Sequence, residues 1–252
     1  MKKYFIAIVV FVGVLVFTNA EAQELTALEI VTKADEKNRG ETSQGEMTMT
    51  IVRKGWSRSV TMKSWSKGTD YFLIYITSPA KEKGQVFLKR KKEMWNWVPS
   101  IEKMIKIPPS MMMQSWMGSD FTNDDLVKQS SIVVDYTHKS LGKVKIREMI
   151  CYKIELIPKP DAPVVWGKII TYITVDGFDF WTSKYYDEDG YLVNTDNAYD
   201  LKKMGDRIIP TKMEMIPADK KGQKTILTFN TMVFDKKIED SFFSQQNMKR
   251  IR

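Results

Sequence analysis

The sequence predicts a mainly β protein in which about 10–12 antiparallel strands form one curved sheet that a helical insert interrupts. Short segments of alternating apolar and polar residues follow one another along most of the chain, separated by turn residues. No strand is followed by a long amphipathic helix, so there are no crossover connections of the kind that parallel strands need. Residues 108–130 break the strand pattern and mark the insert.

The N-terminal half begins with a helix and continues with strands. Apolar residues recur at helical spacing over Leu25–Lys37, and Gly40 follows as a stop signal. Beyond it the period changes to two, as in Met47, Met49 and Ile51. The strands predicted in this half are residues 47–52, 60–62, 71–77, 86–88, 94–98 and 104–107.

The C-terminal half repeats the strand pattern with clear hairpin signals. Asp176-Gly177, Asp189-Gly190 and Lys221-Gly222 each separate two apolar runs, as tight turns between antiparallel strands do. The candidate strand segments are residues 132–136, 152–156, 168–175, 178–186, 191–199, 208–216 and 225–233, so that the two halves hold thirteen such segments for the roughly 10–12 strands expected. Since no linker rich in Pro, Gly or Ser divides the chain, we expect a single domain over residues 23–252.

The insert has helix signals of its own. Pro108-Pro109 ends a strand, because proline cannot continue a hydrogen-bonded ladder. Ser110 is placed to cap a short helix that Gly118 ends, and Thr122 with Asp125 has the form of a capping box for a second helix. One long sheet with helices in its middle indicates a curved sheet with a segment lying across its concave face.

Residues 1–22 have the layout of a cleavable secretory signal. Lys2 and Lys3 precede an uncharged apolar run, and Ala20 and Ala22 lie at the small-residue positions before a cleavage site. The alternative is a retained anchor, for which the apolar run is short. The signal predicts an exported protein, periplasmic in a Gram-negative cell.

Composition leaves little material for catalysis. The chain has one cysteine, Cys151, and one histidine, His138, which excludes an internal disulfide and a Cys–His metal cluster. It lacks a nucleophile elbow, a zinc-protease motif, a Walker loop and a paired-cysteine motif. We therefore expect no enzyme activity, no cofactor and no metal. The net charge of +8 in an exported protein favours anionic lipid or an acidic protein over nucleic acid, or serves solubility alone.

Methionine and tryptophan are the candidate binding residues. Four of the 16 methionines lie within residues 111–117, beside Trp116. Flexible, polarizable methionines can line a cavity for acyl chains, or they can simply fill a core. Trp95 and Trp97 share a strand face and allow the same two interpretations, a lipid- or sugar-binding surface or a packed core.

Two carboxylate clusters admit a metal or acid–base interpretation. Asp120, Asp124 and Asp125 follow the methionine segment, and a second group lies at residues 187–189. Helix capping explains the first cluster and a turn explains the second. We therefore predict no catalytic and no metal-binding residue from either.

Two strings resemble the LolA-like outer-membrane lipoprotein-sorting proteins. They are Trp95-Asn96-Trp97-Val98-Pro99, followed by residues 101–108, and Gly118-Ser119-Asp120-Phe121-Thr122-Asn123-Asp124-Asp125-Leu126. The order of signal peptide, helix, strands, helical insert and further strands is similar too. The resemblance implies an incomplete antiparallel β-barrel with a helical lid, of the LolA/LolB type.

The resemblance also implies a function. Such proteins carry the acyl chains of lipoproteins across the periplasm towards the outer membrane without catalysis, and this branch is associated with RND-type transporters. Implied partners are lipoprotein acyl chains or another lipid, an inner-membrane transporter and an outer-membrane acceptor, with transient membrane contact, no nucleic acid and a monomeric state. A sheet arginine that latches the lid is expected, and the sequence leaves Arg53 and Arg58 as the alternatives.

We predict two sets of ligand-binding residues from alternation and from the apolar insert. The predicted cavity wall consists of Phe72, Ile74, Trp95, Trp97, Met104 and Ile107. The predicted lid consists of Met111, Met112, Met113, Trp116, Met117 and Phe121. The alternative function is a structural or adaptor module of an envelope transport complex, whose interior is filled by its own side chains.

Overall fold

The structure is a computed structural model that describes residues 24–91, 93–127, 131–162 and 164–252. Within them, thirteen strands form one antiparallel, unclosed curved sheet, which confirms the predicted class with slightly more strands than expected. The strands are β1 (Thr42–Arg53), β2 (Trp56–Lys67), β3 (Tyr71–Ser78), β4 (Val86–Arg90), β5 (Glu93–Val98), β6 (Lys103–Ile107), β7 (Tyr136–Ile146), β8 (Met149–Pro158), β9 (Lys168–Thr174), β10 (Phe180–Tyr186), β11 (Leu192–Met204), β12 (Arg207–Pro217) and β13 (Lys224–Phe234). The helices are α1 (Ala27–Arg39), α2 (Asn123–Val127), α3 (Ser131–Val134) and α4 (Gln245–Met248).

The strand order explains where the insert lies. The order is β6-β5-β4-β3-β2-β1-β13-β12-β11-β10-β9-β8-β7, so the first strand pairs with the last in the middle of the sheet. The two edges, β6 and β7, are consecutive in sequence. The described residues of the segment between them pack on one face of the sheet, against β1–β6 and beside α1, and we call this the inner face.

Helix α1 covers the inner face on the β7–β9 side. A capping box between Thr26 and Glu29 begins it, and the positive φ of Gly40 ends it. The predicted start at Leu25 is two residues early because Thr26 is the N-cap. Ile30 and Val31 are buried in a cluster with the apolar residues of β8 and β9.

The insert differs from the prediction in two places. Residues 132–136 do not form a strand: α3 ends at Val134, and β7 begins at Tyr136. The predicted helix after Ser110 is replaced by two 3₁₀ turns, Pro109–Met111 and Trp116–Gly118, because the backbone leaves the helical region at Ser115, with a ψ of 122°, and again at Met117, with a φ of 52°. The Thr122–Asp125 capping box is present, with each side chain accepting a backbone N–H from the other residue.

The C-terminal segment covers the other, outer face of β2–β6. Phe243 and Met248 are buried there against Leu73, Tyr75 and their neighbours. Both faces of this half of the sheet are therefore dry, one beneath the insert and one beneath α4 and the turn before it.

The predicted signal peptide, residues 1–22, lies outside the described residues. None of the helices in the described part of the chain has the length and apolar character that spanning a bilayer requires.

Candidate functional site

The inner face of β1–β6 is an apolar surface covered by the insert. Its buried residues come from alternate positions of adjacent strands, because side chains of one strand alternate between the two faces. They are Met47, Met49, Ile51, Val60, Met62, Ile74, Ile76, Phe87, Met94 and Ile107.

Residues 109–125, hereafter the lid, close over this surface. Trp116 is its most buried apolar side chain, at 3% exposure, and its ring meets the ring of Phe87 edge-on at 5.4 Å between centroids. The Trp116 indole Nε1 is buried without a hydrogen-bond partner in the described structure. The contact around Trp116 is thus apolar, and the indole is held by packing alone.

The lid keeps its shape through hydrogen bonds of its own. The backbone N–H of Asn123 donates to the Gln114 carbonyl at 3.0 Å, and that of Asp124 donates to the Met112 carbonyl at 2.9 Å. The Asn123 side-chain amide donates to the Met111 carbonyl at 2.9 Å. Because these bonds are internal, the lid can move away from the sheet without breaking them.

An arginine at the end of β1 holds one end of the lid. Arg53 forms a two-armed ion pair with Asp120, at 2.9 Å to Oδ2 and 3.0 Å to Oδ1, and donates to the Gly118 carbonyl at 2.9 Å. Asp120 also accepts the hydroxyl of Thr225 at 2.7 Å. The two charged side chains are 14% and 3% exposed, so the ion pair is largely shielded from water.

A second arginine, on β2, holds the same end. Arg58 donates to the Met117 carbonyl of the lid and to Glu82 Oε1, the latter at 2.9 Å. Arg53 and Arg58 flank one hairpin and lie on the inner face, as their register with the buried Ile51 shows. We call the two arginine contacts the latch. Both of the arginines that the sequence left as alternatives contact the lid.

Buried acidic groups lie where the lid meets the α1 side of the inner face. The pKa of Asp196 is raised to about 7, mainly by burial and secondly by the charge of the neighbouring Asp125. Burial likewise raises the pKa of Asp125, although its carboxylate accepts hydrogen bonds from Thr122. One carboxylate oxygen of Asp196 has no hydrogen-bond partner in the described structure. Burial also raises the pKa of Tyr185 well above its usual range.

The structure divides the predicted wall between the two faces of the sheet. Phe72, Ile74 and Ile107 pack with the inner cluster beneath the lid. Trp95, Trp97 and Met104 pack on the outer face, where the C-terminal segment covers them. The sequence could not show which face of β5 turns towards the lid, since Trp95 and Met94 are both apolar.

The predicted lid residues come together with one exception. Met111, Met112, Met117 and Phe121 pack against the inner cluster around Trp116. Met113 points outwards and is 53% exposed.

Sequence reasoning missed residues that complete the inner surface. Met47, Met49 and Met62 were placed on strands but not on the wall, although their alternation was visible. Leu227 and Phe229 of β13 were missed because the pairing of β1 with β13 joins residues that are far apart in sequence.

Comparison with protein families gives a match over most of the described chain. A family model with the description "-like: Uncharacterized protein" matches residues 68–250. A search of curated proteins gave no significant match.

Solved structures with the same fold are known. A DUF1329 family protein from Desulfovibrio piger has a TM-score of 0.80 at 22% identity, covering 88% of this chain and 97% of its own. A LolA superfamily protein from Nitrosomonas europaea has a TM-score of 0.76 at 22% identity, covering 89% and 100%. An outer membrane lipoprotein-sorting protein domain from Vibrio parahaemolyticus has a TM-score of 0.79 at 22% identity, covering 89% and 98%. These likenesses confirm the LolA-like fold that the sequence resemblance predicted.

Proposed function

The chain belongs to the family whose model matches residues 68–250 and has the LolA-like fold, and on that premise we propose that it is a non-enzymatic periplasmic carrier of acyl chains. One observation carries the proposal: an apolar lid that keeps its own shape lies on an apolar concave sheet and is held at one end by two arginines. An acyl chain would take the place that the lid side chains occupy. The transporter and the outer-membrane acceptor implied by the sequence belong to the same proposal.

The energetics suit a carrier that must also release its cargo. Burial of an acyl chain is worth about 0.8 kcal/mol per CH₂ group, so a long chain gains enough to displace apolar lid contacts. The groups displaced include Met111, Met112 and Met117, whose unbranched side chains repack easily against chains of different shape. Binding then exchanges one apolar contact for another, which keeps the net affinity moderate.

The latch sets the balance between the closed and open lid. Only molecules with an open lid bind cargo, so the apparent affinity is the intrinsic affinity multiplied by the fraction of open molecules. Arg53→Met removes the shielded ion pair and is expected to raise that fraction. We therefore expect a tighter apparent affinity of this variant for a fluorescent acyl probe.

Native mass spectrometry of protein purified from the periplasm of its own organism tests the proposal. We expect a bound mass that releases an acyl-containing molecule on extraction. Met112→Asp places a charge against the acyl chain and should reduce the bound fraction, and Trp116→Ala should speed its loss. Met113→Asp is the matched control, because Met113 belongs to the same lid but faces solvent. An unchanged bound fraction in both lid variants contradicts the assignment of the lid.

A second candidate is an adaptor module without a ligand. It is favoured by the packing of the inner face, where the lid side chains already fill the surface around Trp116. A clean apo mass, together with no uptake of an added lipopeptide, would decide for the adaptor.

A further inference from the structure

The end of the sheet that bears the latch also carries a basic and apolar rim. Antiparallel connections place alternate hairpins at the same end of a sheet. The β12–β13, β1–β2 and β3–β4 hairpins therefore lie side by side, since β13 pairs with β1 and β2 with β3. Their tips are residues 218–223, 54–55 and 79–85.

The three tips are strongly basic. Lys54, Lys81, Lys83, Lys220 and Lys221 are exposed at them, and none of the five forms an ion pair within the described residues. These three tips hold two acidic side chains, and the acidic turn at residues 187–189 lies at the same end of the sheet but in the next hairpin, β10–β11, outside the rim. Glu82 is buried against Arg58, and Asp219 is exposed.

A large aromatic side chain stands at the middle tip. Trp56 is 53% exposed and directly follows the turn Lys54-Gly55, on the same face as its register partner Arg53. Ile101, 55% exposed, lies in the next connection on the same side, between β5 and β6. An exposed tryptophan flanked by lysines matches the interface of an anionic bilayer, where the indole enters the headgroup region and the lysines meet the phosphates.

We propose that this rim, formed by Lys54, Trp56, Lys220 and Lys221 with the neighbouring Lys81 and Lys83, is a docking surface for membranes that contain anionic phospholipid. The β1–β2 hairpin that carries Trp56 also carries both latch arginines. Docking would therefore place the latched end of the lid next to the membrane, and this is the end that has to open. The surface itself does not depend on the protein having an acyl cargo.

Vesicle co-sedimentation tests the docking surface. The full mature chain is mixed with vesicles of phosphatidylcholine and phosphatidylglycerol, and with vesicles of phosphatidylcholine alone. Each lysine near an anionic surface is worth about fivefold in partitioning, so we expect Lys54→Glu, Lys220→Glu and Lys221→Glu together to weaken binding to the mixed vesicles by at least about a hundredfold.

The opposite end of the sheet supplies matched controls. Lys202 and Lys203 are exposed on β11, and Ile208 is 58% exposed on β12, close to the β11–β12 turn. The charge reversals Lys202→Glu and Lys203→Glu are expected to change binding by far less than the rim variants. Trp56→Glu should weaken binding strongly, whereas Ile208→Glu should not.

A second readout follows Trp56 itself. Brominated lipid in the mixed vesicles should quench part of the tryptophan fluorescence, and Trp56→Phe should lose that part. Absence of vesicle binding, or equal losses in the variants at the two ends of the sheet, would overturn the proposal. If the rim binds an acidic protein instead of a membrane, the protein will not bind to the vesicles. Urea unfolding of each variant confirms that it is folded.

Discussion

Breaking the latch by Asp120→Ala is the sharpest test of how the lid is held. The substitution removes both hydrogen bonds between Asp120 and Arg53 and the bond from the Thr225 hydroxyl. Arg53 keeps its bonds to backbone carbonyls but loses its counter-charge at 14% exposure. Removing one partner of a buried pair costs about 3–5 kcal/mol, and since this pair is not fully buried we expect about 3 kcal/mol.

The lost stabilisation of the closed lid should appear first as more frequent opening of the lid. The Asp120 backbone N–H donates to Thr225 Oγ1 at 2.9 Å, a bond that joins the lid to the sheet and must break when the lid opens. In Arg53→Met, where residue 120 itself is unchanged, a loss of similar size predicts hydrogen exchange of this amide roughly a hundredfold faster. The double-mutant cycle of Arg53→Met and Asp120→Ala, measured by urea unfolding, isolates the coupling between the two side chains.

A surface ion pair is the control for the latch. Glu93 and Lys106 pair across two strands at 49% and 58% exposure, and Glu93→Ala should cost no more than about 1 kcal/mol. If Asp120→Ala cost no more than Glu93→Ala, and lid exchange in Arg53→Met stayed at the wild-type rate, the latch would not hold the lid.

Three further outcomes follow from the packing and the buried charges. Trp116→Ala should lower the free energy of unfolding by about 3–5 kcal/mol, whereas the exposed Met113→Ala should change it by less than about 0.5 kcal/mol, both measured in urea. Phe243→Ala should also cost about 3–5 kcal/mol, because its ring is fully buried on the outer face, and lid exchange should stay unchanged if the two faces are independent. The pKa of Asp196 is about 7 in the folded state, against an ordinary value of 3.8. Between about pH 4 and pH 7 its carboxyl group is therefore protonated in the folded state and ionised in the unfolded state. Stability should therefore fall as pH rises from about 4 to about 7, and Asp196→Asn should flatten that slope while the exposed Asp219→Asn leaves it unchanged.

Local sequence signals predicted the strands and turns well. Alternation of apolar and polar residues marked the strands, and the dipeptides Asp176-Gly177, Asp189-Gly190 and Lys221-Gly222 all lie in turns between strands. Both signals depend on neighbouring residues only. The Thr122–Asp125 capping box is equally local and is also present. The predicted helix after Ser110 was wrong, because Ser115 leaves the helical region and pairs with Thr122, seven residues further on.

The sequence by itself determined that this chain forms an antiparallel sheet with an apolar insert in its middle, since periodicity and turn chemistry are written in adjacent residues. Only the tertiary structure decided which face of the sheet the insert covers. Trp95 and Trp97 therefore lie beneath the C-terminal segment, while Met49 and Met62 lie beneath the lid. The latch was decided in the same way, because Arg53 and Asp120 are 67 residues apart and meet only when the connection between the two sheet edges crosses the inner face.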